Sequence, residues 1–548
     1  MRPFSFLSLL ALAARLAHPA HAQTPAARAP WVPDLGNGQY QNPVLYADYS
    51  DPDVVRVGSD YYLTSSSFNA APGLPILHSK DLVNWTLLGH ALPVQLPASR
   101  YAQVQPGNGV WAPALRHHAG KFYLYYPDPD LGIFVTTAQN PAGPWTTPVC
   151  VKAARGWIDP CPFWDEDGRA YLVHAFAGSR AGIKSVLHVS EMAPDGLSLL
   201  GEDRLVFDGH KDHPTIEGPK LYKRHGYYYL LAPGGGVKTG WQVALRSKSV
   251  FGPYEDKIVL AQGQSLVNGP HQGAWVDTPD GKQDWFLHFQ DQGAYGRVVH
   301  LQPMTWKNDW PVMGTDADGD GTGEPVLTYR KPAVPGKVAV AVPATSDEFN
   351  GNAPGLQWQW QANPQPRWLA SPATAQPGQL ALAAVPAPTE AQNLYLVPSL
   401  LLQKLPAEHF TATTKVTFAG QSAGDRAGLV VLGLDYATLT LTRLADGRLA
   451  LSQTICPQAD KGSAETPAAT APALLPASQP LYLRVAVRAG GRCQFSYSAD
   501  GRQFLPLGPE FTAREGRWVG AKLGLFCLGA STIPSPGYAA FDWWRVTP

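Results

Sequence analysis

"DPDVVRVGSDYYLTSSS" (residues 51–67) opens with two carboxylates around a proline, then runs through an apolar stretch, a Gly-Ser-Asp turn and a second apolar stretch. Two such runs joined by turn residues read as a β-hairpin. Proline and charge fit the start of a strand, not its interior. Asp51 and Asp53 therefore stand at one end of a sheet. The pattern returns four times: "WAPALRHHAGKFYLYYPD" (111–128), "DPCPFWDEDGRAYLVHAFA" (159–177), "EGPKLYKRHGYYYLLAPGG" (217–235) and "HQGAWVDTPDGKQDWFLHFQD" (271–291). The head residues at 51, 111, 159, 217 and 271 are spaced by 48 to 60 residues, with further strand-like segments between them. Four strands per unit at this period predict a five-bladed β-propeller over residues 38–330.

A propeller sets the first strand of each blade around a central axis, so its heads converge at one mouth. Asp51, Asp159 and Glu217 are thus expected in one pocket, with Trp111 and His271 nearby. A lone aspartate at a strand start commonly makes a turn. Three carboxylates at equivalent repeat positions, two followed by Pro and one by Gly-Pro, exceed what turns require.

The period then stops. The Pro/Ala/Val-rich stretch 331–345 reads as a linker, and residues 346–548 alternate as strands without a helical period, predicting a β-sandwich. "ETPAATAPALLPASQP" (465–480) reads as a low-complexity loop within it.

Composition narrows the function classes. Among 548 residues, 43 basic and 43 acidic side chains cancel, which gives no broad attraction to nucleic acid or anionic lipid. Aromatics reach 11%, and 53 Gly with 52 Pro suit a turn-rich all-β chain. The N-terminal "MRPFSFLSLLALAARLAHPAHAQTP" has a basic start, an apolar core and a small-x-small site at Ala20-His21-Ala22. It reads as a secretory signal over residues 1–22, giving a periplasmic or secreted protein with no membrane span. Of the five cysteines, Cys150 with Cys161, or a pair among Cys456, Cys493 and Cys527, are candidates for a bridge, with buried free thiols as the simpler reading.

Two carboxyl groups across a cleft can hydrolyse a glycosidic bond, one protonating the leaving oxygen and the other activating water or attacking carbon. A third carboxylate disfavours ionisation of the acid and keeps it protonated near neutrality. Walker and HExxH motifs are absent, and the "GGG" at 234–236 is an isolated glycine run.

Together "YSDPDVVRVGSDYYL", "GVWAPALR", "WIDPCPFWDEDGRAYL", "IEGPKLYK" and "GRVVHLQPM" resemble glycoside hydrolase family 43. Residues beyond the propeller resemble the concanavalin-A-like sandwich of its β-xylosidase and arabinofuranosidase branch. The resemblance implies an exo-acting, inverting hydrolase that releases arabinofuranosyl or xylosyl units from plant oligo- or polysaccharides. It implies Asp51 as general base, Asp159 as pKa modulator and Glu217 as general acid. Asp53 is then a turn acceptor. Arg297 is implied to reach sugar hydroxyls and Trp111 to wall the sugar site, with Phe68 and Trp241 as further wall candidates. His271 matches an axial histidine that in part of the family helps hold calcium or a water. No cofactor is otherwise required. A second calcium site would join Asp347, Glu348 and Asp542. "DADGDG" (316–321) reads as a turn, because Leu327 stands where an EF-hand needs a bidentate Glu. Competing expectations are a retaining invertase-like propeller, disfavoured by "SDPDV" in place of "NDPNG", and a non-catalytic sugar-binding propeller.

Overall fold

The computed structural model describes residues 29–351, 353–371, 376–476, 479–531 and 536–548. The leader read at residues 1–22 lies outside them. No helix among the described residues is long and apolar enough to cross a membrane.

Five four-stranded antiparallel sheets follow one another in sequence order. Blade 1 comprises Asp53–Val57, Asp60–Thr64, Gly73–Ser79 and Trp85–Leu92; blade 2 runs from Ala114–His118 to Val149–Ala153. Blade 3 comprises Trp157–Trp164, Ala170–Phe176, Val186–Met192 and Leu199–Asp208. Blade 4 runs from Lys220–Arg224 to Glu255–Leu260, and blade 5 from His271–Asp277 to Trp310–Met313. Each blade is a meander of consecutive hairpins, the local pairing that the turn-separated apolar runs predict. The ring closes where Gln39–Gln41 pairs with Thr328–Arg330 and Leu45 bridges Val299. Apolar side chains on the blade faces pack between neighbours; Leu63, Leu77 and Trp85 of blade 1, for example, share a fully buried cluster with Ala274 and Leu287 of blade 5.

Two further sheets pack face to face as a sandwich. One holds Leu401–Lys404, Arg426–Leu432, Tyr436–Arg443, Leu449–Cys456 and Lys522–Gly529, and the other Phe410–Ala419, Leu481–Arg488, Arg492–Ser498 and Tyr538–Thr547. Their inner faces bury Leu429, Leu439, Leu483, Val485 and Trp544. The low-complexity stretch contributes a strand, Thr466–Thr470, that pairs with Leu449–Cys456. Thr, Ala and Pro suffice there because the strand sits at the sheet edge.

The sandwich docks on the propeller through directed hydrogen bonds. Ala71 and Trp360 exchange both backbone bonds (3.0 and 2.7 Å), and the Asn363 amide does the same with the Gln95 backbone (2.7 and 2.9 Å). The Gly520 amide donates to Asp48 Oδ2 at 3.0 Å, and Ala521 donates to the Ala294 carbonyl at 2.8 Å. These last two fix a sandwich loop beside the propeller mouth.

All five cysteines are free, so neither candidate bridge forms. Cys150 is exposed on the outer strand of blade 2, while Cys161 is buried on the inner strand of blade 3.

Candidate active site

Asp51, Asp159 and Glu217 line one pocket of about 140 Å³ together with Phe68, Trp111, Ile158, Gln272, Arg297 and Trp518. Asp51 and Asp159 each precede a proline, and both adopt left-handed backbone, with φ of 53° and 56°. For a residue with a side chain, and before proline above all, that conformation is disfavoured. At Asp159 it coincides with a register break between Ile158 and Cys161 in the innermost strand of blade 3. Such a bulge re-aims a side chain, here into the pocket instead of across the sheet.

Asp51 accepts from Ser50 Oγ (2.8 Å), Ser66 Oγ (2.5 Å) and Arg297 Nη1 (3.1 Å). An acceptor-only carboxylate satisfies all three donors. Arg297 is oriented in turn by its own backbone N–H, which donates to Asp48 Oδ1 at 2.9 Å, and by the Phe289 ring 4.8 Å below its guanidinium. Asp48 therefore links Arg297 to the sandwich loop through Gly520.

Asp159 is buried, and its Oδ2 accepts from the Gly218 amide at 2.7 Å. The Gln272 amide faces the same carboxylate, although its Nε2 completes no hydrogen bond of good geometry. Gly218 is left-handed (φ 60°), and a Cβ there would lie 2.7 Å from the Gln272 side chain. The "EGP" glycine is thus required both by its backbone and by its neighbour. Burial, and then the Asp51 charge, push the Asp159 carboxyl up to about 7, against the Gly218 hydrogen bond.

The Glu217 side chain is 34% exposed, at the mouth of the pocket. Burial, then the charges of Asp159 and Asp51, push it up to about 8. Two facing acids of raised pKa cannot both ionise near neutrality. The Gly218 N–H favours charge on Asp159, and charge on Asp159 in turn raises Glu217.

Trp111 donates from Nε1 to the Gly107 carbonyl at 2.8 Å, meets Trp518 edge-on at 6.4 Å and Phe68 at 6.5 Å. Trp518, 47% exposed, comes from the sandwich. No propeller repeat could have pointed to it. Gln272 follows a repeat head, but its role depends on a second bulge, between His271 and Gly273, which residue types alone do not announce.

Three expectations are corrected. Trp241 is absent from the pocket lining; its Nε1 donates to His213 Nδ1 at 3.1 Å, on the blade side. Asp53 is no turn acceptor. Fully buried, it accepts from the Leu115 amide and Arg116 Nη1 (both 2.7 Å) and lies 3.8 Å from buried Lys220 Nζ, clamping blades 1, 2 and 4. Asp347, Glu348 and Asp542 do not converge. Asp347 accepts from Phe349, Gly355 and Trp358, Glu348 pairs with Arg545, and Asp542 accepts from Lys415 and Gln379.

His271 is buried against Phe289, with Nε2 3.4 Å from Glu217 Oε1 and both ring nitrogens without a hydrogen-bond partner among the described residues. Burial, then Arg297, hold its pKa well below the usual range, so it is neutral. Among the described residues it joins no cluster of three ligating side chains. Calcium prefers six to eight oxygens, so the protein donors here do not fit that ion. Asp316, Asp318 and Asp320 do approach one another, but Asp316 and Asp320 accept from the Gly319, Gly321 and Thr322 amides as an ordinary turn does.

Residues 40–311 match the family model "Glycosyl hydrolases family 43", and residues 346–547 match "Beta xylosidase C-terminal Concanavalin A-like domain". A beta-xylosidase of Formosa agariphila is 33% identical, over 93% of this chain and 90% of that protein. A non-reducing end alpha-L-arabinofuranosidase of Bacteroides ovatus is 32% identical, over 77% of this chain and 79% of its own. The crystal structure of a xylan beta-1,4-xylosidase from Bacillus halodurans superposes with a TM-score of 0.81 at 26% identity, covering 93% of this chain and all of that one. With the propeller, the sandwich and three carboxylates at one mouth, the chain belongs to glycosyl hydrolase family 43 and is a glycosidase.

Proposed function

We propose that the protein is an exo-acting, inverting pentosidase that removes single non-reducing-end β-D-xylosyl units from xylo-oligosaccharides, with α-L-arabinofuranosides as secondary substrates. The observation that carries this reading is the pocket itself. At about 140 Å³ it is far smaller than the roughly 300–1,000 Å³ of sites for drug-sized ligands, and Trp518 stands at its rim. One sugar ring fills such a space; a polymer threading through does not. The relatives described as beta-xylosidase and alpha-L-arabinofuranosidase support a pentose over a hexose.

In the proposed reaction, Asp51 takes a proton from a water that attacks the anomeric carbon, while Glu217 gives its proton to the departing glycosidic oxygen. One C–O bond forms as the other breaks, and the configuration inverts. Arg297 orients Asp51 and offers its remaining N–H groups to sugar hydroxyls. Asp159, the charged neighbour, keeps Glu217 protonated until the leaving oxygen claims the proton. The aromatic wall of Trp111, Phe68 and Trp518 supplies apolar faces for the ring. The leader at residues 1–22 supports export, which would bring the enzyme to oligosaccharides outside the cytoplasm. A panel of nitrophenyl glycosides, with the product anomer followed by NMR, tests the reading. The β-D-xyloside should be cleaved fastest, giving α-xylose first. A preferred hexoside, or first-formed β-xylose, would overturn it.

A further inference from the structure

Cross-strand histidine pairs occur at matching places in two blades. In blade 3 His174 lies directly opposite His188, and in blade 5 His288 lies opposite His300. His174 and His288 occupy the same position of the repeat, in "AYLVHAF" and "DWFLHFQ". Each turns Nδ1 toward the carbonyl of the next residue, at 3.1 Å in both cases. The blade 5 pair meets side-chain amides, with His300 Nδ1 left without a hydrogen-bond partner among the described residues. Gln302 Nε2 meets His288 Nε2 at 3.1 Å, and His300 Nε2 meets Gln290 Oε1 at 3.1 Å. Burial pushes both of these histidines down, His288 to about 4.

In blade 3 a carboxylate replaces the amides. His174 Nε2 is 3.0 Å from Asp203 Oδ1, and His188 Nδ1 is 2.8 Å from Asp203 Oδ2. Ser190 Oγ donates to the same carboxylate at 2.9 Å. A neutral His174 that donates from Nδ1 to the Ala175 carbonyl presents a bare lone pair to Asp203. The other tautomer moves that conflict onto the carbonyl. The blade 3 cluster thus has room for one positive charge between its imidazoles and the carboxylate. The charge can be a proton or a metal ion.

We propose that His174 Nε2, His188 Nδ1 and the Asp203 carboxylate form a binding site for a divalent transition metal, zinc by its chemistry. Two imidazole nitrogens and one carboxylate suit zinc and exclude the oxygen-seeking calcium and magnesium. The three ligand atoms lie within 4.8 Å of one another. Tetrahedral zinc with bonds of about 2.0–2.1 Å separates its ligands by about 3.3 Å; the His174 Nε2–Oδ1 contact (3.0 Å) and the His188 Nδ1–Oδ2 contact (2.8 Å), one to each carboxylate oxygen, lie a few tenths of an ångström inside that spacing. The Nδ1 donation to Ala175 fixes His174 in the tautomer that a ligand needs. The His174 ring is held by stacking on Trp157 at 3.6 Å, and the partly exposed Asp203 and His188 leave a path from solvent. None of the three lines the catalytic pocket, so the ion would brace three strands of blade 3 without entering the reaction.

The mature full-length chain, dialysed against chelator, is titrated with zinc by calorimetry and with cobalt(II) by visible absorption. One equivalent should bind, with the intense visible bands of four-coordinate cobalt. Zinc at a hundredfold excess over its Kd should raise the thermal midpoint by roughly 5 °C. Asp203→Asn and His188→Gln should each weaken zinc binding at least about tenfold while leaving kcat on nitrophenyl xyloside unchanged. If either variant fails to fold, the cobalt spectrum of the wild type decides. No saturable zinc uptake by the wild type, or equal uptake by both variants, would overturn the proposal and leave a proton as the charge held there.

Discussion

Replacing Asp159 by Asn removes one negative charge from beside Glu217 and little else. The Asn carbonyl still accepts the Gly218 N–H that now bonds Asp159 Oδ2 at 2.7 Å, so the blade 4 entrance keeps its course. Glu217 stands at about 8, with burial the largest cause, Asp159 the second and Asp51 the third. Charged neighbours at contact range move a carboxyl by about one to three pH units. Because the Glu217 side chain is 34% exposed, water screens part of this, and about one unit is expected. A general acid works only while protonated, so the basic limb of kcat/KM follows its pKa. Without the neighbouring charge Glu217 ionises earlier, and the limb should fall from about 8 to about 7. It should stay above the ordinary 4.5, since burial and Asp51 remain. The profile is best measured with xylobiose, whose leaving group needs the proton. A basic limb that stays in place in Asp159→Asn would refute the assignment of both residues.

Asp51→Ala should lower turnover of every substrate by at least ~10²–10⁴-fold, whereas Glu217→Ala should cripple oligosaccharides and spare much nitrophenyl glycoside activity; equal losses on both substrates in steady-state assays would reverse the roles. Glu217→Gln should raise the thermal midpoint at pH 8 but not near pH 4.5: a carboxyl whose folded pKa is raised to about 8 costs stability progressively as pH rises from 4.5 to that value, and the amide removes the cost. Trp518→Ala should lower kcat/KM on xylo-oligosaccharides by about three- to tenfold, the worth of one aromatic contact, mostly through KM. Residues 23–330 alone should be insoluble or inactive, because Asp48 loses the Gly520 N–H and the Ala71–Trp360 pairing disappears; a stable, fully active fragment would show the sandwich to be dispensable.

The five blades were legible because each repeats a head, a strand, a Gly turn and an aromatic-rich strand, and convergence of the heads follows from the architecture. Residues that act across repeats were not. Asp53 reads locally as a turn carboxylate; its clamp on Arg116 and Lys220 exists only once blades 1, 2 and 4 are side by side. Trp241 reads as a wall aromatic, yet it begins the third strand of its blade and turns to His213. Trp518 lies in a part of the chain with no repeat to align it, and it reaches the mouth only because Gly520 and Ala521 are tied to the propeller.

The opening sequence carries its own physical explanation. A proline after each of Asp51 and Asp159 would ordinarily hold the preceding residue in extended backbone, which points its side chain to a face of the sheet. Both aspartates are left-handed instead, a strain of about 1–3 kcal/mol each. Proline adds rigidity on the following residue, which begins the descent of the strand, and it cannot donate a ladder bond that would pull the aspartate back into register. The strain is offset at Asp51 by three side-chain donors and at Asp159 by the Gly218 amide. Those same donors hold both carboxylates in the pocket lining. Removing them would thus both relax the backbone and disarm the site, so the acidic-Pro step ties the cost of the conformation to the chemistry it serves.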